Sequence, residues 1–268
     1  MRLSLHLPTM TDNLSNIHLS KDEFQEYGYR LVDWLAEYFD NVGQYEVLPS
    51  MEPGDIRNML PVSAPERAES MDEIIADLDR VVMPGMAHWQ HPGWYAFFPS
   101  GASPVSALGE FVAAGLATQG MMWSTAPAAT EIENTVLDWL VDLLGLPSSW
   151  RLDEGPGGGV IQMSASDSTH LSLAVARHQF ELSGADANSL VAYGSSQAHS
   201  SIEKGARVAG FKHIRSVPVT ETFGIDADAF AKIVRDDIDS GLIPAWVCSA
   251  VGTTNTTAMD PIRAIAAI

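Results

Sequence analysis

The sequence predicts an α/β domain with a mostly parallel sheet, preceded by a helical amino-terminal segment. Three junctions predict it. Gly157-Gly158-Gly159-Val160-Ile161-Gln162-Met163 reads as a short buried strand, and Ser164-Ala165-Ser166-Asp167 opens a helix behind it. Leu190-Val191-Ala192-Tyr193 is β-rich and leads through Gly194–His199 to a helix opened by the capping-box pair Ser200 and Glu203. Ile243–Val251 runs apolar into Gly252-Thr253-Thr254-Asn255-Thr256-Thr257, and a helix begins near Asp260-Pro261. Strand and helix alternate from Pro147 to the end, which is the pattern of a parallel sheet.

Ahead of these junctions the helical period dominates. Residues 1–20 read as a loose arm. Phe24, Tyr27, Leu31, Trp34, Leu35 and Tyr38 recur at helical spacing between Asp22 and Asp40. Residues 49–67 are rich in proline and read as extended. Ile74, Ile75 and Leu78 mark one face of a helix over 71–82. His88–Ser100 is dense in aromatics, which alone suits a core segment. Further helices are predicted over 105–119 and 128–144, the second with Ile132, Val136, Trp139, Leu140 and Leu143 on its apolar face. The expected division is a helical segment over 1–103 and a larger domain over 104–268.

Composition narrows the function classes. With 46% hydrophobic and 18% charged residues in 268, a packed core is expected and disorder is not. The net charge of −19 argues against non-specific nucleic-acid binding, which rests on clustered Lys and Arg. No apolar run approaches the roughly 20 residues that span a bilayer. Met1–Pro8 is too short and interrupted for a signal peptide. The single cysteine, Cys248, permits no intrachain disulfide, fits a cytoplasmic setting, and suits a core position better than a nucleophile. His88 and His91 stand at a metal-ligand spacing, but no further ligands accompany them, so no metal is expected. The glycines at 157–159 precede the strand, so neither dinucleotide nor Walker spacing is met.

In an open α/β sheet, ligands lie beyond the carboxyl ends of the strands, and all three junctions fall on that edge. The small residues at 164–166 open a helix whose first N–H groups are unpaired, which suits a phosphate. They equally suit an ordinary capped helix.

At this point the residues resemble a known family, the group II pyridoxal-phosphate-dependent amino-acid decarboxylases that include aromatic L-amino-acid, histidine and tyrosine decarboxylases. The resemblance is carried by HPGWYAFFPS (91–100), APAATEIE (126–133), GGGVIQMSAS (157–166), QAHSSIEK (197–204) and VGTTNTTAMD (251–260), in family order and at family spacing. It implies the large domain of the aminotransferase fold, type I, a three-layer α/β/α arrangement whose carboxyl end is incomplete here. It implies pyridoxal 5′-phosphate as cofactor and a homodimer wrapped by the amino-terminal helices. Ala165 and Ser166 match the phosphate-binding pair. His199 matches the histidine that stacks on the pyridine ring, and Thr254 the threonine near its phenolic oxygen and the substrate carboxylate. These two carry the catalytic roles. Asp260 matches an acidic position nearby, structural rather than catalytic. Trp89, Phe97, Phe98, Pro99 and Ser100 match the wall around the substrate side chain. Met121 departs from the phenylalanine of animal relatives.

The implied reaction is decarboxylation of an L-amino acid, aromatic by the character of that wall, to the amine and carbon dioxide. Such a reaction needs an electron sink that no side chain supplies. Lys21, Lys204, Lys212 and Lys232 do not follow the family's motif for the imine lysine, and the ring-nitrogen aspartate and mobile loop are not in this sequence either. The chain is therefore expected to be the front part of a longer protein and inactive by itself. Two alternatives stand beside this reading: a truncated product that only dimerises or binds phosphate, and an aldehyde synthase using the same cofactor.

Overall fold

The computed structural model describes residues 18–97 and 101–268. The chain forms two compact units, one running through Val112 and the other from Ala113 to Ile268.

In the first unit, α1 (Lys21–Asn41) and α3 (Met71–Asp77) start the same way. Ser20 Oγ accepts the Glu23 N–H at 3.2 Å while the Glu23 carboxylate accepts the Ser20 N–H at 2.8 Å, and Ser70 with Glu73 repeats the arrangement. Each box satisfies two donors that a helix start leaves open. α3 continues through one π-helical turn at Leu78–Val82. The proline-rich stretch is not wholly extended, because Gly54, at φ 108°, admits a short α2 (Asp55–Met59). α4 covers Pro104–Leu116, so it runs across the boundary after Val112. Stacked rings do much of the packing: Tyr45 lies 4.8 Å from His88, and Trp89 lies 4.8 Å from Trp94.

The second unit holds α5 (Pro127–Leu143), α6 (Ala165–Leu182) and the sheet. Its strands are β1 (Leu190–Ser195), β2 (His213–Val217) and β3 (Ile243–Val247), in the order β2-β1-β3 and all parallel. The crossovers are α7 (Ser201–Val208) and α8 (Ala227–Asp239), and α9 (Ile262–Ala266) follows β3. Val191 faces His213 on one side and Pro244 on the other, and a bulge at Ala245 then shifts the β3 register. Pro244 has no N–H for the ladder, and a bulge is where a strand tolerates that.

Central β1 is buried along its whole length. Its alternate residues feed opposite faces. Val191 and Tyr193 pack with Phe230 and Val234 of α8 and Ile265 of α9, while Leu190 and Ala192 pack with Leu173 of α6 and Ala206 of α7. Helices on both faces of a parallel sheet make the three-layer α/β/α arrangement that the resemblance implies.

The strand expected over 160–163 does not form. Val160, Ile161 and Met163 are exposed and irregular, and the Ile161 N–H donates to the Glu133 carboxylate of α5 at 2.7 Å. An apolar run becomes a strand only where a neighbour takes up its backbone groups. Among the described residues no strand pairs with it. The segment instead lies strapped to α5, with Arg151 bonded to Asp142 and the Leu152 N–H to Asp138.

Candidate active site

α6 starts at Ser164, whose hydroxyl accepts the Asp167 N–H at 3.1 Å and donates to the Asp167 carboxylate at 2.8 Å. That cap leaves the N–H groups of Ala165 and Ser166 and the Ser166 hydroxyl without partners among the described residues. α6 is eighteen residues long and carries the positive end of its dipole there. The small side chains leave those donors accessible.

His199 follows β1 directly. The capping box expected of Ser200 and Glu203 is not formed, because Ser200 is already in the helical region and its hydroxyl caps nothing. The His199 ring caps α7 instead. Its Nδ1 accepts the Ser201 N–H at 3.2 Å and lies 3.0 Å from Ser201 Oγ. Glu203 pairs with Arg207 at 2.6 Å, one turn along. The ring is exposed and borders a cleft of about 280 Å³ at the carboxyl ends of β1 and β2, with Ser196, Arg215 and Ser216 on its walls.

α6 and α7 pack against each other at Gly205, one to two turns in from their starts. A Cβ on Gly205 would stand 2.6 Å from His170 Cδ2 and 3.1 Å from Leu173 Cδ1, so only glycine lets the helices come this close. This contact puts the α6 start and the His199 loop on one side of the sheet, at its carboxyl edge.

Thr254 lies on the loop after β3, the strand next to β1. It is half-buried, and its hydroxyl has no partner among the described residues. Asp260 braces this loop. Its buried carboxylate accepts the Ile225 N–H at 2.8 Å and the Ala250 N–H at 2.7 Å, while its own N–H donates to the Ala250 carbonyl at 2.9 Å. Within the loop, Thr253 Oγ1 stands 2.6 Å from Thr256 Oγ1 and accepts the Ala258 N–H at 3.2 Å. Ser249 Oγ, just beyond β3, is buried without a partner among the described residues, and the sequence carries no signal that singles it out. Burial, and then the Asp260 charge, push the Cys248 thiol up, so it stays protonated and suits its packing role better than nucleophilic attack.

The edge of the second unit thus gathers His199, Thr254 and the Ala165–Ser166 turn, although the cleft beside His199 is lined by neither Thr254 nor Ser166. Trp89 belongs to the first unit, where it stacks on Trp94 and Phe97. Phe98, Pro99 and Ser100 lie outside the described residues. His88 and His91 are engaged structurally: His88 Nδ1 meets the Tyr38 hydroxyl at 3.1 Å, and His91 accepts the Gly93 N–H at 2.8 Å and bonds the Gly43 carbonyl at 3.2 Å. Burial, and then His91, push His88 below the usual histidine range.

Residues 53–268 match the family described as the pyridoxal-dependent decarboxylase conserved domain. The chain belongs to this family. It is 41% identical over 256 residues to an aromatic-L-amino-acid decarboxylase of Catharanthus roseus, covering 93% of this chain and 51% of that protein. It is 37% identical over 256 residues to a phenylacetaldehyde synthase of Arabidopsis thaliana, covering 93% and 52%. The crystal structure of Oryza sativa TDC with PLP superposes with a TM-score of 0.85 at 35% identity, covering 93% of this chain and 55% of that one. The chain spans about half the length of the curated relatives it matches. Pyridoxal phosphate is the cofactor of this family, and the residues present fit it. An open helix start with small side chains suits its phosphate, the exposed His199 ring offers a flat face, and the free Thr254 and Ser249 hydroxyls add polar contacts at the same edge. Among the described residues, no helix is long and apolar enough to cross a membrane.

Proposed function

We propose that this chain is the front part of a pyridoxal-phosphate-dependent decarboxylase that converts an aromatic L-amino acid to its amine and carbon dioxide. The observation that carries the reading is the close packing of α6 on α7 at Gly205, since both helices open toward the carboxyl edge of the sheet. The 41% identity to an aromatic-L-amino-acid decarboxylase supports the substrate class. When bound, the cofactor supplies the electron sink that side chains lack.

The chain's own residues bind and orient. The Ala165 and Ser166 N–H groups and the Ser166 hydroxyl hold the phosphate at a helix start, where the dipole favours negative charge. His199 would pack its ring, which Ser201 helps to fix, against the cofactor. The Thr254 hydroxyl donates toward oxygen at the same edge. By the resemblance, Trp89, Phe98, Pro99 and Ser100 would be the residues that contact the substrate side chain. The active protein is a cytoplasmic homodimer, and the apolar groove between α1 and α4 favours the dimer.

The identity to a phenylacetaldehyde synthase favours a second reading, oxidative conversion to the aldehyde. The test is to express the full-length protein with cofactor, supply tyrosine, tryptophan or dihydroxyphenylalanine, and measure amine, aldehyde and hydrogen peroxide together. Amine without peroxide is expected. Aldehyde with peroxide would move the protein to the second reading, and no turnover of any of them would sink the first. The isolated 1–268 chain is expected to form no amine, and amine production by it would refute the proposal that it is only the front part.

A further inference from the structure

We infer that Ser201 is a positioning residue for His199, holding its ring proton on Nε2 and fixing the ring's plane; the kinetic part of this inference rests on the decarboxylase reading. A backbone N–H can only donate. The Ser201 N–H reaches His199 Nδ1 at 3.2 Å, so Nδ1 must present its lone pair and the ring proton must sit on Nε2. Ser201 Oγ, 3.0 Å from the same nitrogen, can add a second donor. Two contacts from one residue fix the rotation of the ring about its side-chain bonds more tightly than either alone. Ser201 is itself held, because it is 8% exposed and its backbone begins α7.

The arrangement also accounts for the unused Ser200 hydroxyl. The α7 start needs an acceptor for its first N–H groups, and the histidine supplies it. The cap of the helix and the orientation of the proposed stacking residue are thus one interaction. Nε2–H is left as a donor, away from the helix, at the carboxyl edge of β1.

Two variants separate the contacts. Ser201→Ala removes the hydroxyl and keeps the N–H. Ser201→Pro removes both donors, and because proline disfavours the helical backbone of the residue before it, Ser200 must also shift. Long-range nitrogen NMR of histidine-labelled protein without cofactor reads the tautomer independently of any activity. The wild type is expected to carry the proton on Nε2, and Ser201→Pro to shift part of it to Nδ1. In the full-length protein with cofactor, Ser201→Ala is expected to lower kcat a few-fold with KM changed less than about twofold and Tm unmoved, as for a mispositioned group, and Ser201→Pro to lower kcat about tenfold with a lower Tm. A wild-type proton on Nδ1, or a Ser201→Pro protein with unaltered tautomer and kcat, overturns the inference. A wild type that binds no cofactor and turns over nothing overturns the decarboxylase reading instead, and the tautomer result then stands alone.

Discussion

Tyr193, Arg215 and Asp237 tie one helix layer to the sheet. The Tyr193 hydroxyl of β1 donates to Asp237 of α8 at 2.9 Å, and Arg215 of β2 adds bonds of 2.5 and 3.1 Å. Asp237 is only 5% exposed. Burial alone would raise its pKa, but the Arg215 guanidinium and then the Tyr193 hydroxyl outweigh it and hold the carboxylate below the ordinary value of 3.8. Burial, and then the Asp237 bond, push the Tyr193 phenol above the ordinary 10.0. The two shifts act at opposite ends of the pH scale. Asp237 contributes stability above about pH 4 that is lost as the pH falls through its lower folded value. Tyr193 contributes stability below about pH 10 that is lost as the pH rises toward its higher one. Tyr193→Phe should cost about 2 kcal/mol in urea unfolding near neutral pH, the scale of a bond to a charged group, and should remove the alkaline loss. An unchanged alkaline limb would show that Tyr193 does not cause it. Arg215→Met leaves a buried charge unpaired, but Arg215 is 34% exposed and water can replace part of it, so about 2 kcal/mol is expected.

At the scale of elements, Gly205 decides how closely α7 lies on α6. Alanine would gain about 1 kcal/mol in helix propensity, yet its Cβ must displace His170 and the fully buried Leu173. Gly205→Ala should therefore lose about 1 kcal/mol net and weaken cofactor binding, read by urea unfolding and by titration with pyridoxal phosphate; a more stable variant with unchanged cofactor affinity would contradict the close-packing account. The βαβ order is legible because each element carries its own signal: β-rich 190–193, and the glycines Gly210 and Gly241, at φ 86° and 80°, which end α7 and α8 before the next strand. Ser20 and Ser70 form capping boxes with Glu23 and Glu73. Ser200 and Glu203 do not, because Ser200 is already helical and the ring of His199 caps the Ser201 N–H instead, and a side-chain cap one residue upstream is invisible to a spacing rule. The run 160–163 fails as a strand for a different reason. Its pattern describes the residues that bury, but a strand also needs a partner, and pairing is not a property of the run itself. Likewise the positions of His199 and Thr254 at the strand ends can be read from sequence, whereas Ser201 and Ser249 acquire their meaning only from three-dimensional neighbours.

For the molecule as a whole, the acidic surface and the apolar groove make opposite demands. A net charge of −19 makes copies repel. Yet Leu31, Val32 and Leu35 of α1 and Leu108 and Phe111 of α4 line a groove of about 540 Å³, in which Val32, Leu108 and Phe111 are each about half exposed. Apolar surface gathered in this way is the mark of an interface. Short-range burial can outweigh the repulsion only if salt screens the charges, since the screening length is about 8 Å at physiological ionic strength. Two consequences follow for the proposed homodimer. Its dissociation constant should fall as salt rises from low to physiological levels, and its Tm should climb with protein concentration, because association stabilises the folded state by mass action. Placing a carboxylate in the groove with Leu35→Asp or Leu108→Asp should weaken association at least tenfold, about 1.4 kcal/mol, and flatten the concentration dependence of Tm. Sedimentation of the full-length protein measures both. A wild type that stays monomeric at micromolar concentration in physiological salt would remove the homodimer from the proposal and leave the groove without that role.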